Sequence, residues 1–87
     1  MNLTTTMRSI VEDNVVSDYI DSRSNTPLLE DAWGAIWGHL SKFPEKGVCI
    51  MDGYYVFKSD TRFKPRLRVL YSFDDNRVYI HMVELIP

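Results

Sequence analysis

Residues 67–85, LRVLYSFDDNRVYIHMVEL, are two runs of alternating side chains around an Asp-Asp-Asn turn. That pattern predicts an antiparallel β-hairpin. With Asp75-Asn76 as its loop, Phe73 faces Val78, Tyr71 faces Ile80 and Val69 faces Met82. Strand side chains alternate with period two, so all of these apolar residues share one face. The other face pairs Ser72 with Tyr79, Leu70 with His81 and Arg68 with Val83. A slip of one residue would carry the apolar set into water, so the pattern specifies the register. Any function written into this hairpin is expected on its second face, with Arg68, Tyr79 and His81.

Ahead of the hairpin, residues 5–22 read as an amphipathic helix, because Met7, Ile10, Val11, Val15 and Tyr19 recur at three- and four-residue steps. Thr4 to Thr6 offer its N-cap. A second helix is expected from Thr26-Pro27, with Thr as cap and Pro at the first helical position. Its apolar face runs through Leu29, Ala32, Trp33, Ile36, Trp37, Leu40 and Phe43, and Phe43-Pro44-Glu45-Lys46-Gly47 ends it. Gly34 and Gly38 suggest close approach of another element. Val48 to Met51 and Tyr54 to Lys58 are strands around an Asp52-Gly53 turn. The expectation is one α+β domain over residues 1–87, in the order α-α-β-β-β-β. Its two N-terminal helices pack on one face of a small antiparallel sheet. The core is expected to hold Val69, Tyr71, Phe73, Val78, Ile80 and Met82 with Trp33, Ile36 and Trp37.

Composition narrows the function classes. The lone cysteine, Cys49, forms no internal disulfide, and its apolar setting suggests a buried structural thiol. No run of apolar residues is long enough to span a membrane, and MNLTTTMRSIVED lacks the basic and apolar blocks of a secretory signal, so the cytoplasm is expected. A net charge of −2 and a pI near 5.5 argue against a general nucleic-acid binder. His39 and His81 lack metal-ligand spacing, no phosphate loop is present, and neither metal nor cofactor is expected. Asp52, Asp74 and Asp75 fit turn chemistry.

The charge is uneven, however. Lys58, Arg62, Lys64, Arg66 and Arg68 stand against Asp60 alone in residues 58–68, while the N-terminal half is acidic. With Tyr79 and His81 these cations make the candidate binding set. One reading is a solvated strand face with snorkelling side chains. The other is a surface that grips anions, with the planar fork of Arg68 suited to phosphate or carboxylate and His81 able to exchange a proton near neutral pH. Arg68, His81 and Lys58 are the residues that could cut RNA without a metal, a reaction needing a base, a phosphate-binding cation and an acid.

L-x-K-F-P-E-K-G at the end of the second helix, then a strand pair, then R-V-L-Y-S-F-D-D-N-R-V-Y-I, resembles the RelE/ParE toxin superfamily of bacterial toxin–antitoxin systems. The R-x-L-Y-x-F-D core is similar to its phage-derived HigB-like branch. The resemblance covers residues 28–84. It implies a phosphate-binding role for Arg68, a catalytic-lysine position near Lys58 and a histidine position near His81. It also implies a strand before the first helix, which MNLTTT does not suggest. RNA-cutting members continue past the last strand with a further arginine, whereas this sequence reads Leu85-Ile86-Pro87, so binding without RNA cleavage is expected. The implied partners are an antitoxin or a target enzyme such as gyrase, with RNA or the ribosome as a further possibility. A non-catalytic phage or mobile-element inhibitor and a homodimeric accessory domain are the competing readings.

Overall fold

The computed structural model describes residues 7–60, 62 and 64–87. Strand β1 (Ser9–Glu12) leads into helix α1 (Asn14–Ser22), and helix α2 (Leu29–Lys42) runs into a 3-10 turn (Pro44–Lys46). Strands β2 (Val48–Met51), β3 (Tyr54–Lys58), β4 (Arg66–Phe73) and β5 (Arg77–Ile86) follow. The strands form one five-stranded sheet in the order β1-β5-β4-β3-β2. β1 lies parallel to β5, with Ile10 opposite Val78, while the other neighbours are antiparallel.

This corrects the expected α-α-β-β-β-β order and all-antiparallel sheet. The chain order is β-α-α-β-β-β-β and the sheet is mixed. Ile10 and Val11 fit both a helical step and an extended segment, and their β-branches favour the strand. Asp13 marks the change. Its N–H bonds to the Ile80 carbonyl at 3.0 Å, closing the sheet contact, and its carboxylate accepts from Val15 N–H at 3.1 Å, capping α1. The cap expected at Thr4 to Thr6 lies outside the described residues.

The start of α2 also differs. Thr26 is not its cap; Leu28 is, with no side-chain capping bond. Thr26-Pro27-Leu28-Leu29 forms a turn closed by Leu29 N–H to the Thr26 carbonyl at 3.3 Å. Leu28 has φ 64° and ψ 9°. Proline at the second position and a left-handed residue at the third define a type II turn, where glycine or asparagine is the usual occupant. Here a leucine takes the strained conformation.

The helices cover the β1, β5 and β4 part of one face. Val16, Leu29, Trp33, Ile36 and Leu40 pack onto Leu67, Val69, Tyr71, Val78, Ile80 and Val83, all buried. The hairpin register holds from Phe73–Val78 to Tyr71–Ile80 and then shifts, so Leu70 faces Met82 and Val69 faces Val83. His81 is therefore the extra residue of a β-bulge, which reverses the inside–outside alternation beyond it. Val83 turns inward, and Met82, expected in the core, is 54% exposed. Arg68 faces Glu84 instead of Val83.

Three further expectations change. Trp37 lies at the surface, 37% exposed; its indole N–H and that of Trp33 both donate to Glu12 Oε1, at 3.1 and 2.9 Å. Gly34 and Gly38 face open space, so no element approaches them. Cys49 is exposed, because β2 is an edge strand without helical cover. Gly47 makes the close approach instead: a Cβ there would fall on the Tyr71 hydroxyl. Among the described residues no helix is long and apolar enough to cross a membrane.

Candidate binding surface

The connection from β3 to β4 and the uncovered face of the sheet divide the predicted cations among different environments. Lys58 and Arg68 are register partners on the face opposite the helices. The Arg68 guanidinium pairs with the Glu84 carboxylate on β5, a consequence of the bulge that brings Glu84 across from it. To bind an external phosphate, Arg68 would have to exchange this carboxylate for it. Arg62 makes two side-chain bonds to Asp60, at 3.1 and 2.9 Å, and that pairing holds its pKa above the usual arginine value. Arg66 Nε donates to the Ser59 carbonyl at 3.0 Å, which ties the return of the chain into β4.

His81 occupies the bulge. Its Nε2 lies 2.7 Å from Ser72 Oγ, and its ring centroid is 5.4 Å from that of Tyr54. The bulge stands opposite the Leu70–Tyr71 step of β4, between two and three residues from Arg68. At the rise of a β-strand this is roughly 8 Å. Tyr79 is further away, near the hairpin loop, where its hydroxyl donates to Asp74 Oδ2 at 3.2 Å. The Asp74 carboxyl is held below its ordinary pKa by the N–H groups of Asn76 and Arg77. Its role is the turn chemistry expected of it.

Lys64, and Lys58 at the end of β3, also border a second feature. They stand at a cavity of about 660 Å³ between α2 and the β3–β4 connection. Its walls include Ala32, Ala35 and Ile36 from α2, with Phe57 and Pro65 opposite. The opening exists because α2 lies over β4, β5 and β1, and because two alanines face the gap. The His39 ring packs on Phe57 at 5.0 Å between centroids. Asp31 and Asp60 also line this space. The seven predicted residues thus fall into four groups: Arg68, His81 and Lys58 on the open sheet face, Lys64 at the cavity, Tyr79 at the hairpin tip, and Arg62 and Arg66 bracing the β3–β4 connection.

The sequence reading missed this cavity, and with it Leu28, Ala35, His39 and Phe57. The sequence signal was Pro27 followed by a residue other than glycine, together with a pair of small residues on the helix face. Both gain meaning only when β3 is placed beside them. Comparisons with protein-family models, with curated proteins and with solved structures returned no match.

Proposed function

We propose that this chain is a cytoplasmic toxin of the RelE/ParE kind that acts by binding a bacterial target, of the gyrase or translation type, and not by cutting RNA. The carrying observation is the treatment of the basic cluster. Arg68 is committed to Glu84, Arg62 to Asp60 and Arg66 to a backbone carbonyl, while Lys58 and Lys64 enter no ion pair among the described residues. Such a surface suits attraction and docking of an anionic partner, since unpaired rim charges speed association. It suits phosphate activation less, because the arginine best placed for that work is already neutralised across the strand. The β1 strand ahead of the helices also agrees with the chain order that the family resemblance implies.

An inhibitor of a nucleic-acid enzyme is the second reading. It is favoured by Asp18, Asp21, Glu30 and Asp31 on the helices, which enter no ion pair among the described residues. Induction in bacteria with and without the neighbouring genes separates the two. Growth arrest relieved by an adjacent gene is expected for the toxin. Normal growth at verified expression refutes it. Ribosome-dependent mRNA cleavage by the purified chain refutes the non-cleaving part, and His81→Gln would then be the first variant to assay.

A further inference from the structure

The sheet face that the helices leave open is not polar. An antiparallel sheet with one face in water normally turns polar side chains to that side. Here Val48, Val56, Leu70 and Met82 are successive register partners across β2, β3, β4 and β5. Their neighbours Val69, Tyr71 and Val83 on β4 and β5 point into the core, so this row points outward. Val48 is 68% exposed and Met82 54%. A charged row flanks it on one side, where Lys58, Arg68 and Glu84 are register partners. On the other side lie Tyr54 of β3, Ser72 of β4 and Tyr79 of β5, and Val11 of β1 continues that row opposite Tyr79. Tyr54 and Val11 are exposed as well.

The extent of this surface restricts what can cover it. Its exposed apolar groups run from Val48 on one edge strand to Val11 on the other. Four strand spacings separate those edges, about 19 Å. A helix lying along the strands is only about 10–12 Å wide and would leave one side in water. Laid across the strands, it would meet the twist of the sheet. A single added strand covers an edge and not a face. A second sheet packed face to face covers the whole width. Since β4 is eight residues long, the open face is about 500 Å² in plan, on the scale of the roughly 800 Å² of accessible surface that each partner gives a standard interface.

We infer that a second copy of this chain covers this face, sheet on sheet, about a twofold axis that runs along the Val48–Met82 row. A twofold sets a patch against itself, so the two apolar rows meet. The same rotation lays each strand over its own copy and exchanges the flanking rows. Lys58 then stands over Tyr54 of the second copy, Arg68 over Ser72 and Glu84 over Tyr79. A cation over a ring is favourable, and the Arg68–Glu84 pair stays intact. A twofold running along the strands between β3 and β4 would instead set Lys58 over Arg68 of the second copy, and like charges oppose that arrangement. The face is complementary to itself in the first orientation, which selects a second copy over an unrelated sheet. The inference goes beyond the binding reading above: Lys64 lines the cavity on the helix side and stays outside the dimer.

The test is the mass of the full chain in solution, by light scattering and sedimentation, over a range of concentration. A dimer is expected at about 10 μM, within the range open to an interface of this size. The pair Val48→Lys with Met82→Lys should raise the dissociation constant by about tenfold or more, because both ammonium groups must enter the apolar row. Val15→Lys, at an exposed position of α1, should leave it within about twofold. Cross-linking reads the geometry without the lysine variant. In a Cys49→Ser background, Met82→Cys lies on the axis and faces its own copy across stacked backbones about 10 Å apart, so a short bismaleimide should join two chains. Cys49 of the parent pairs with Tyr55, on the helix side of the sheet, and should stay unlinked.

A monomer at every concentration up to about 1 mM would overturn the inference. So would a dimer that the lysine pair leaves unchanged, or one that Met82→Cys fails to link. Efficient linking of the parent through Cys49 would mean that β2 edges pair instead, and this also overturns it.

Discussion

Gly47 and Tyr71 share one space, and the structure sets the outcome of changing either. The Tyr71 side chain is fully buried, and its hydroxyl donates to the Pro44 carbonyl at 2.5 Å. Tyr71→Phe removes a bond and orphans a buried carbonyl, a loss of about 2 kcal/mol. Gly47→Ala sets a methyl on the hydroxyl and forces a shift that costs about 2–3 kcal/mol, less a few tenths from the stiffer unfolded chain. Independent losses would sum to about 4–5 kcal/mol, but these two collide over the same atom, so the double variant should lose only about 3 kcal/mol. Relief stays partial because the ring carbon that bore the hydroxyl still lies 3.0 Å from the added methyl, and the Val56 carbonyl lies 3.1 Å from it. Urea denaturation followed by tryptophan fluorescence measures all four proteins. A double variant that loses the full sum, within about 0.5 kcal/mol, would refute the steric account.

Three other outcomes follow from packing and charge. Burial raises the Tyr71 pKa from 10.0 to about 12. The unfolded chain therefore gives up this proton first, so stability holds below pH 10 and falls by about 2–3 kcal/mol as pH rises toward 12; Tyr71→Phe should lack that part of the fall in alkaline denaturation. Trp33, 7% exposed, should lose about 3–5 kcal/mol on change to Ala, whereas Trp37, 37% exposed, should lose about 1 kcal/mol, and equal midpoint shifts would contradict the assigned faces. Glu12→Ala strips the acceptor from both indole N–H groups and should cost about 2 kcal/mol, read as a lower urea midpoint.

The hairpin near its loop was legible from the sequence because alternation and turn residues are local signals: Phe73, Ser72 and Tyr71 pair as read. The bulge at His81 was not, because no glycine or proline marks it and the apolar run Met82-Val83 allows either residue to face inward. The first strand was hidden for a related reason. Ile10 and Val11 satisfy the helical step, and only the long-range partner Val78 decides for the strand. Trp37 sits four residues after Trp33 and looks equally apolar in sequence, yet a core only as wide as the β1, β5 and β4 part of the sheet leaves it at the margin. For the candidate site, the identity of the cations was readable and their pairing was not. Glu84 reaches Arg68 only because of the bulge, and the cavity beside Lys58 and Lys64 requires the placement of α2 against β3.

The sheet order bears on how the chain is made. β5 is the last of the five strands to leave the ribosome, yet it lies between β1 and β4. Until it emerges, β1 has no neighbour, and one side of β4 is an open edge. The helices can form early, but the surface they must cover is incomplete, since Val78, Ile80 and Val83 all arrive with β5. Pairings of such long sequence separation slow folding and lengthen the exposure of sticky edges. Nascent chains arrested before β5 should therefore be sensitive to protease throughout, and they should gain protection in one step when β5 enters.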